Sequence, residues 1–206
     1  MKIIDCVQGE PAWFEARLGK PTASEFDKII TAGGKPSTQA DGLLHKLLAE
    51  IITGKAAVFT ESDWMKRGKE YEAEARDFLS FHLDTEIRQV GFVMTDCGSF
   101  GCSPDGMYAE GGCELKCPSP GVHVSYLLRG TIPPDYVPQV QGSMLVTGAP
   151  WWDFVSYHPD MPPLIVRVER DDAFHAALAE YMDKFLTRLE AAKCALIERG
   201  HMKEAT

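Results

Sequence analysis

A chain of 206 residues is long enough for one domain with a substantial core. With 45% hydrophobic, 25% charged and 10% aromatic side chains, it reads as an ordinary folded protein, not as a disordered or repetitive one. The formal charge of −9 and the pI of 5.1 exclude a general nucleic-acid coat, which is basic over its surface. They leave room for an enzyme acting on DNA, because a metal site concentrates carboxylates and DNA contact asks only for a local basic surface. No apolar run reaches the roughly 18 residues of a membrane span. The opening MKIIDCVQGEPAWFEA lacks the apolar centre and cleavage site of a signal peptide, so a soluble cytoplasmic protein is expected.

In chain order, Pro11 to Leu18 reads as a short helix with Pro in its first turn and Gly19 at its end. Thr22-Ala23-Ser24-Glu25 has the form of a capping box that opens a second helix. Residues 32–41 (AGGKPSTQAD) are a Gly/Pro/Ser/Thr loop, followed by helices over 42–53 and 62–82. Stretches near 87–95, 99–108 and 112–117 alternate as strands do. Residues 135–147 read as a helix, and 152–158 with 163–169 as a hairpin. Phe174, Leu178, Tyr181, Met182, Phe185, Leu189, Ala192 and Leu196 then recur at helical spacing up to Gly200, beyond which the terminus is expected to fray. Strands and helices mixed in this way imply an α/β or α+β layered fold around a central sheet.

The chemistry concentrates in Ser103-Pro104-Asp105-Gly106 and Glu114-Leu115-Lys116. A hairpin between them brings Asp105 and Glu114 to one edge, and Glu114 and Lys116, two apart on a strand, share a face. An apolar core does not tolerate two anions and a cation without metal or solvent, and hard oxygen ligands favour Mg²⁺ or Mn²⁺ over zinc. The Leu115 carbonyl offers a further oxygen. The plain alternative is an exposed hairpin carrying a Glu–Lys surface pair. Glu72 lies within an apolar stripe formed by Gly68, Tyr71, Ala75, Phe78 and Leu79, as a third metal-site acid or as a simple ion pair with Arg76. Gln139 edges the stripe of Tyr136, Val140, Met144 and Thr147, where an amide can orient a water or a phosphate oxygen; Gln141 reads as solvated. Arg17 and Ser24 suggest an anion pocket: Ser24 in a first helical turn with free N–H groups, Arg17 with a planar fork suited to phosphate. Alternatively, Arg17 merely complements the end of its own helix.

Six cysteines, Cys6, Cys97, Cys102, Cys113, Cys117 and Cys194, are expected as reduced structural thiols. Four of them fall as C-x4-C and C-x3-C, which misses the usual C-x2-C metal spacing while keeping an iron–sulfur or zinc site in view.

Six blocks in order, AWFEARLGKPTASE (12–25), LLAEIITG (47–54), RGKEYEAEAR (67–76), CSPDG (102–106), ELKCP (114–118) and PQVQGSMLVTG (138–148), resemble the phage lambda exonuclease and YqaJ-like viral recombinase family of PD-(D/E)xK nucleases, from about Gln8 to about Glu169. The resemblance implies a mixed central β-sheet flanked by helices, with a restriction-endonuclease-like core over about 40–170 and a C-terminal helix over about 171–199 of a single domain. It implies Asp105, Glu114 and Glu72 as metal-binding acids, Leu115 as a carbonyl ligand, Lys116 as the catalytic lysine, and Gln139 as a catalytic-site amide. Arg17, Ser24 and Ser103 become the grip on a 5′-phosphate. Two Mg²⁺ ions, replaceable by Mn²⁺, would serve a 5′→3′ exonuclease that leaves 3′ single-stranded tails on double-stranded DNA. A ring-shaped homotrimer, a single-strand annealing protein as partner and a phage or prophage origin in a bacterial cytoplasm follow from the same likeness. The family carries a further acid upstream of SPDG, and Asp96 lies one position from its place; the loop at 32–41 is shorter than the lambda enzyme's. The rivals are a related nuclease holding an iron–sulfur cluster and a catalytically inactive DNA-binding protein on the same fold.

Overall fold

The computed structural model describes residues 1–56 and 63–202, with 63–66, 68 and 69 described for their backbone only. Residue 62 of the expected helix, the surroundings of Gly68 and the tail beyond 202 therefore lie outside the described residues. In chain order the elements are β1 (Lys2–Ile4), α1 (Pro11–Arg17), a 3₁₀ helix (Ala23–Lys28), α2 (Ala40–Thr53), α3 (Asp63–Leu83), β2 (Phe92–Met94), β3 (Gly101–Cys102), β4 (Gly106–Tyr108), β5 (Gly111–Lys116), α4 (Pro120–Arg129), a 3₁₀ turn (Pro134–Tyr136), α5 (Val137–Thr147), β6 (Trp151–His158), β7 (Met161–Glu169) and α6 (Asp172–Glu198). No described helix is long and apolar enough to cross a membrane.

Two sheets organise these elements. β1, β2 and β3 form a small antiparallel sheet, and β4-β5-β6-β7 a larger mixed one in which β5 and β6 run parallel and the outer pairs antiparallel. The pleat sends alternate residues of the larger sheet to opposite faces. Cys113, Leu115, Val155 and Tyr157 pack with Ala75 and Leu79 of α3 on one face. Trp152 packs with Val140 and Met144 of α5 on the other. A third apolar cluster joins the 3₁₀ helix, α2 and α6 to Val93 and Cys102 of the small sheet. Asp153, buried in β6, is neutralised by Arg167, whose Nε and Nη2 donate at 3.0 and 2.9 Å, and by the Tyr108 hydroxyl, so its charge is hydrogen-bonded rather than stranded.

Several elements differ from the sequence reading. The stretch 99–108 is not one strand: it breaks at Ser103-Pro104-Asp105, and its halves join different sheets, since Pro104 has no N–H to give a ladder. Of 87–95 only Phe92–Met94 is strand, with Arg88 making a lone bridge to Met107. β1 and α4 were not anticipated. α4 is punctuated as helices are, by Ser119-Pro120 at its start and a left-handed Gly130 at its end. The expected capping box is not formed. Thr22 makes no side-chain cap, its hydroxyl being shared among Arg17, Ser24 and Glu25, and the segment winds as six residues of 3₁₀ helix. Gln141 is not solvated: its amide is buried, donating to the Glu169 carbonyl at 2.9 Å and accepting from the Asp171 N–H at 3.1 Å, which ties α5 to the start of α6.

The 3₁₀ helix and α5 meet through one close approach. A Cβ added at Gly142 would lie 2.3 Å from Cδ2 of Phe26, a ring with no exposed surface. Gly142→Ala gains about 1 kcal/mol of helix propensity. It must also displace a buried ring, and overpacking costs about 1–3 kcal/mol. Net destabilisation of about 1 kcal/mol is expected, read as a lower denaturant midpoint at unchanged m-value.

Candidate active site

β4 and β5 form the expected hairpin, with Gly106 opposite Cys113, so Asp105 and Glu114 meet where the hairpin opens. Asp105 Oδ2 accepts from the Leu115 N–H at 2.7 Å. Glu114 is buried, and its Oε1 takes both the Lys116 ammonium and the Gln139 Nε2, the latter at 2.6 Å. Lys116 also lies 5.1 Å from the Tyr136 ring. Burial raises the Asp105 pKa well above the usual carboxylate range, reinforced by the charges of Glu114 and Glu72 and opposed by Lys116. For Lys116, burial acts against the ammonium, but Glu114 and Asp105 outweigh it and hold the group protonated. The acids thus hold Lys116 charged, whereas burial and the neighbouring carboxylates disfavour the ionised form of Asp105.

Glu72 approaches from α3. It is half-buried and pairs with Arg76 at 3.3 Å, the bond the plain reading anticipated, while Arg76 Nε reaches across to the Asp105 carbonyl at 2.9 Å. Arg76 therefore links the helical acid to the strand acid. Sequence reading treated it only as a partner of Glu72, although its place four residues later on the same face was visible.

Ser103, two residues before Asp105, belongs to a second group of side chains. Its hydroxyl accepts from Trp13 Nε1 and from Arg17 Nη1, both at 2.9 Å. The Arg17 guanidinium lies 4.0 Å from the Trp13 ring centroid, and its Nη2 donates to the Thr22 hydroxyl at 3.3 Å. Burial lowers the Arg17 pKa, while Glu25 and Glu50 act in the opposite direction. Ser24 is exposed and touches this group only through Thr22, at 3.2 Å. A six-residue 3₁₀ helix has too few aligned peptides for a useful dipole, so the anion-binding first turn expected at Ser24 reduces to hydroxyl and guanidinium donors. Trp13 and Thr22 were missed. Both stand inside the block 12–25, where charge and capping are the signals the sequence carries.

Residues 12–150 match the family of YqaJ-like viral recombinase domains. The chain belongs to that family. Among solved structures, the YqaJ-like chain is similar to an alkaline exonuclease (LHK-Exo) from Laribacter hongkongensis at 31% identity, with a TM-score of 0.85 over 93% of this chain and 98% of that one. It is equally similar to the same enzyme in complex with dAMP, at 32% identity and a TM-score of 0.84 over the same shares of the two chains. A phage related exonuclease from Haemophilus somnus 129PT, at 16% identity and a TM-score of 0.64 over 84% of this chain and 96% of that one, shares the fold. A search of curated proteins gave no match. The YqaJ-like chain is thus a nuclease with the mixed, helix-flanked sheet of the PD-(D/E)xK enzymes.

The donor set fits a hard divalent cation: carboxylates of Asp105, Glu114 and Glu72 and the backbone oxygen of Leu115. Among the described residues, no three His, Cys, Asp or Glu side chains are already drawn together as ligands; Lys116 and Arg76 lie among the acids in the place of a positive charge. The cysteines are all unpaired, with Cys102 and Cys113 buried, Cys6 and Cys117 half-buried, and Cys97 and Cys194 exposed. Asp96 is exposed and pairs with the amino terminus at 2.7 Å.

Burial and like-charge repulsion both disfavour the ionised form of Asp105. Asn keeps an oxygen to accept from Leu115 and removes one negative charge beside Glu114 and Glu72. Asp105→Asn is expected to raise stability in EDTA by about 1 kcal/mol, measured as the midpoint of thermal unfolding, and to lose any stabilisation that Mg²⁺ or Mn²⁺ confers on the unaltered protein.

Proposed function

We propose that the chain acts as a single-domain 5′→3′ exonuclease on double-stranded DNA, starting from 5′-phosphorylated ends and leaving 3′ single-stranded tails for recombination by strand annealing. The observation that carries this reading is the spacing of Ser103 and Asp105. Two residues of chain span at most about 7 Å, the scale of one nucleotide step. A terminal phosphate held by Arg17, Trp13 and Ser103, with Ser24 at the rim, would then present the next phosphate to Asp105, Glu114 and Lys116. A 5′-mononucleotide is what one such step releases. The dAMP bound by the Laribacter relative supports that substrate class.

Two Mg²⁺ ions, or Mn²⁺ in their place, would be held by Asp105, Glu114, Glu72 and the Leu115 carbonyl, supplying Lewis acidity and a more acidic attacking water. Hydrolysis adds water oxygen to the scissile phosphorus and breaks its bond to the 3′ oxygen of the terminal nucleotide, which leaves with a proton. The Lys116 ammonium beside Glu114 offsets negative charge gathering on the phosphoryl oxygens. Gln139, its amide nitrogen on Glu114, orients that carboxylate and has its oxygen available to a water. Membership of a viral recombinase family supports a phage or prophage origin, work in the host cytoplasm and an annealing protein as partner. A ring of three copies around DNA would keep an acidic protein on its substrate without a basic exterior.

The wild type with Mg²⁺ is expected to shorten the 5′-ended strands of a 5′-phosphorylated linear duplex; intact strands would refute the proposal. Lys116→Ala is expected to abolish digestion while the far-ultraviolet circular dichroism stays unchanged. Arg17→Ala is expected to reduce the preference for 5′-phosphate over 5′-hydroxyl ends by about tenfold or more, the size of a charge-assisted hydrogen bond. Light scattering should give about three times the chain mass of 22.8 kDa.

A further inference from the structure

A cleft of about 210 Å³ opens beside the catalytic acids, on the side of α3 that carries Arg67 and Tyr71. Its walls include Arg67, Tyr71, Cys117, Pro118, His158 and Asp160. Tyr71 directly precedes Glu72, Cys117 directly follows Lys116, and the charges of Glu72, Asp105 and Lys116 act on the Cys117 thiol, so the cleft adjoins the site described above. It also lies at the carboxyl ends of the parallel pair, since Lys116 pairs in register with Ser156 and β6 ends at His158. That edge is where sheets with parallel strands take their ligands.

The chemistry of the walls suits a phosphate with a sugar or base attached. Arg67 lies 5.9 Å from the Tyr71 ring, one helical turn away on the same face, giving a guanidinium next to an aromatic surface. The His158 Nδ1 accepts from the Asp160 N–H at 3.2 Å, which leaves the ring proton on Nε2 as a donor. α4 begins on the same wall at Pro120. Asp160 is the acid on this wall, and its backbone is engaged with His158.

We propose that this cleft holds the nucleotide on the 3′ side of the scissile bond, with Arg67 and His158 on the phosphate that follows the one being cut. The inference rests on the proposed hydrolysis and extends it. A strand would then occupy three successive stations: the Arg17–Ser103 pocket for its terminal phosphate, the acids for the scissile phosphate, and this cleft for the next. After each cut, every phosphate moves one station along.

The test is single-turnover release of the first nucleotide from a 5′-phosphorylated duplex with Mg²⁺. The linkage between the second and third nucleotides is either a phosphodiester or a neutral methylphosphonate. In the wild type the neutral linkage is expected to slow release by about tenfold, the size of one charge-assisted hydrogen bond. Arg67→Ala is expected to slow the natural substrate by a similar factor and to be almost indifferent to the methylphosphonate, as in a double-mutant cycle between contacting groups. His158→Ala, a substitution on the other wall, should show the same loss of discrimination. A methylphosphonate penalty of full size in both variants, or none in the wild type, overturns the assignment of this phosphate to the cleft. A wild type that leaves both duplexes uncut overturns the hydrolytic reading and this inference with it.

Discussion

The chain passes from the small sheet into the large one across Ser103, Pro104 and Asp105, and both halves of the candidate site hang from that turn. Pro104 cannot donate to a ladder, so β3 must end and β4 must begin in a different sheet. Gln8 fixes the crossing by donating to the Pro104 carbonyl at 2.8 Å and to the Val90 carbonyl at 2.9 Å. With the turn held, Ser103 faces Arg17 and Trp13 while Asp105 faces Glu114. A shift of one residue in either direction would bring Pro104 into the place of Ser103 or of Asp105 and remove both side chains from their partners. The remaining architecture serves to hold this register. Phe26 closes on Gly142, which joins the segment carrying Thr22 to the helix carrying Gln139, and Arg76 clamps α3 to the Asp105 carbonyl.

Charge is the second constraint. Glu72, Asp105 and Glu114 gather three negative charges where water is scarce, against Lys116 and Arg76. Burial and mutual repulsion disfavour ionised Asp105, so this arrangement is less stable than an apolar one of the same shape. Such a cost persists where the carboxylates do chemistry, and a divalent cation is what would relieve it. The net charge of −9 looks discouraging for a protein that meets DNA. Part of that excess of acids is a feature of the candidate active site rather than of the surface DNA would touch.

Long periodic elements were legible in the sequence because one residue pattern governs each. α6 follows its apolar stripe, α5 its own, and the hairpin 152–158 with 163–169 its alternation. Asp105, Glu114, Lys116 and Gln139 were legible because buried charge and amide groups on apolar faces need partners; Glu114 takes both Lys116 and Gln139, while Asp105 takes the Leu115 N–H. What escaped notice depends on competition between segments distant in sequence. Thr22 looked like a helix cap, but its hydroxyl is drawn to Arg17, and Phe26, four residues on, is fully buried in the core. Gln141 looked solvated because its acceptor, Glu169, lies 28 residues away. Trp13 was unreadable as a hydrogen-bond donor because its acceptor, Ser103, lies 90 residues on.

The same competition explains why the Arg17 group would discriminate between DNA ends. Its guanidinium is held over Trp13 and shared between two neutral hydroxyls, those of Ser103 and Thr22, with no carboxylate in direct contact among the described hydrogen bonds. Burial already weakens its hold on the proton. A half-buried cation whose own hydrogen bonds go to hydroxyls has no carboxylate in direct contact among them, and a terminal phosphate would supply one anion there, whereas a terminal hydroxyl would add another neutral dipole. The loop presenting Thr22 is meanwhile held in place by Glu50, which accepts from the Gly19 N–H at 3.1 Å, and by Lys46, which bridges Glu25 at 2.5 Å and Glu50 at 3.7 Å. Glu25 and Glu50 act on the guanidinium through space, while their hydrogen bonds go to Lys46, Thr22 and the Gly19 N–H. End dependence, in this view, arises from where the counter-charges are withheld as much as from where the donors point.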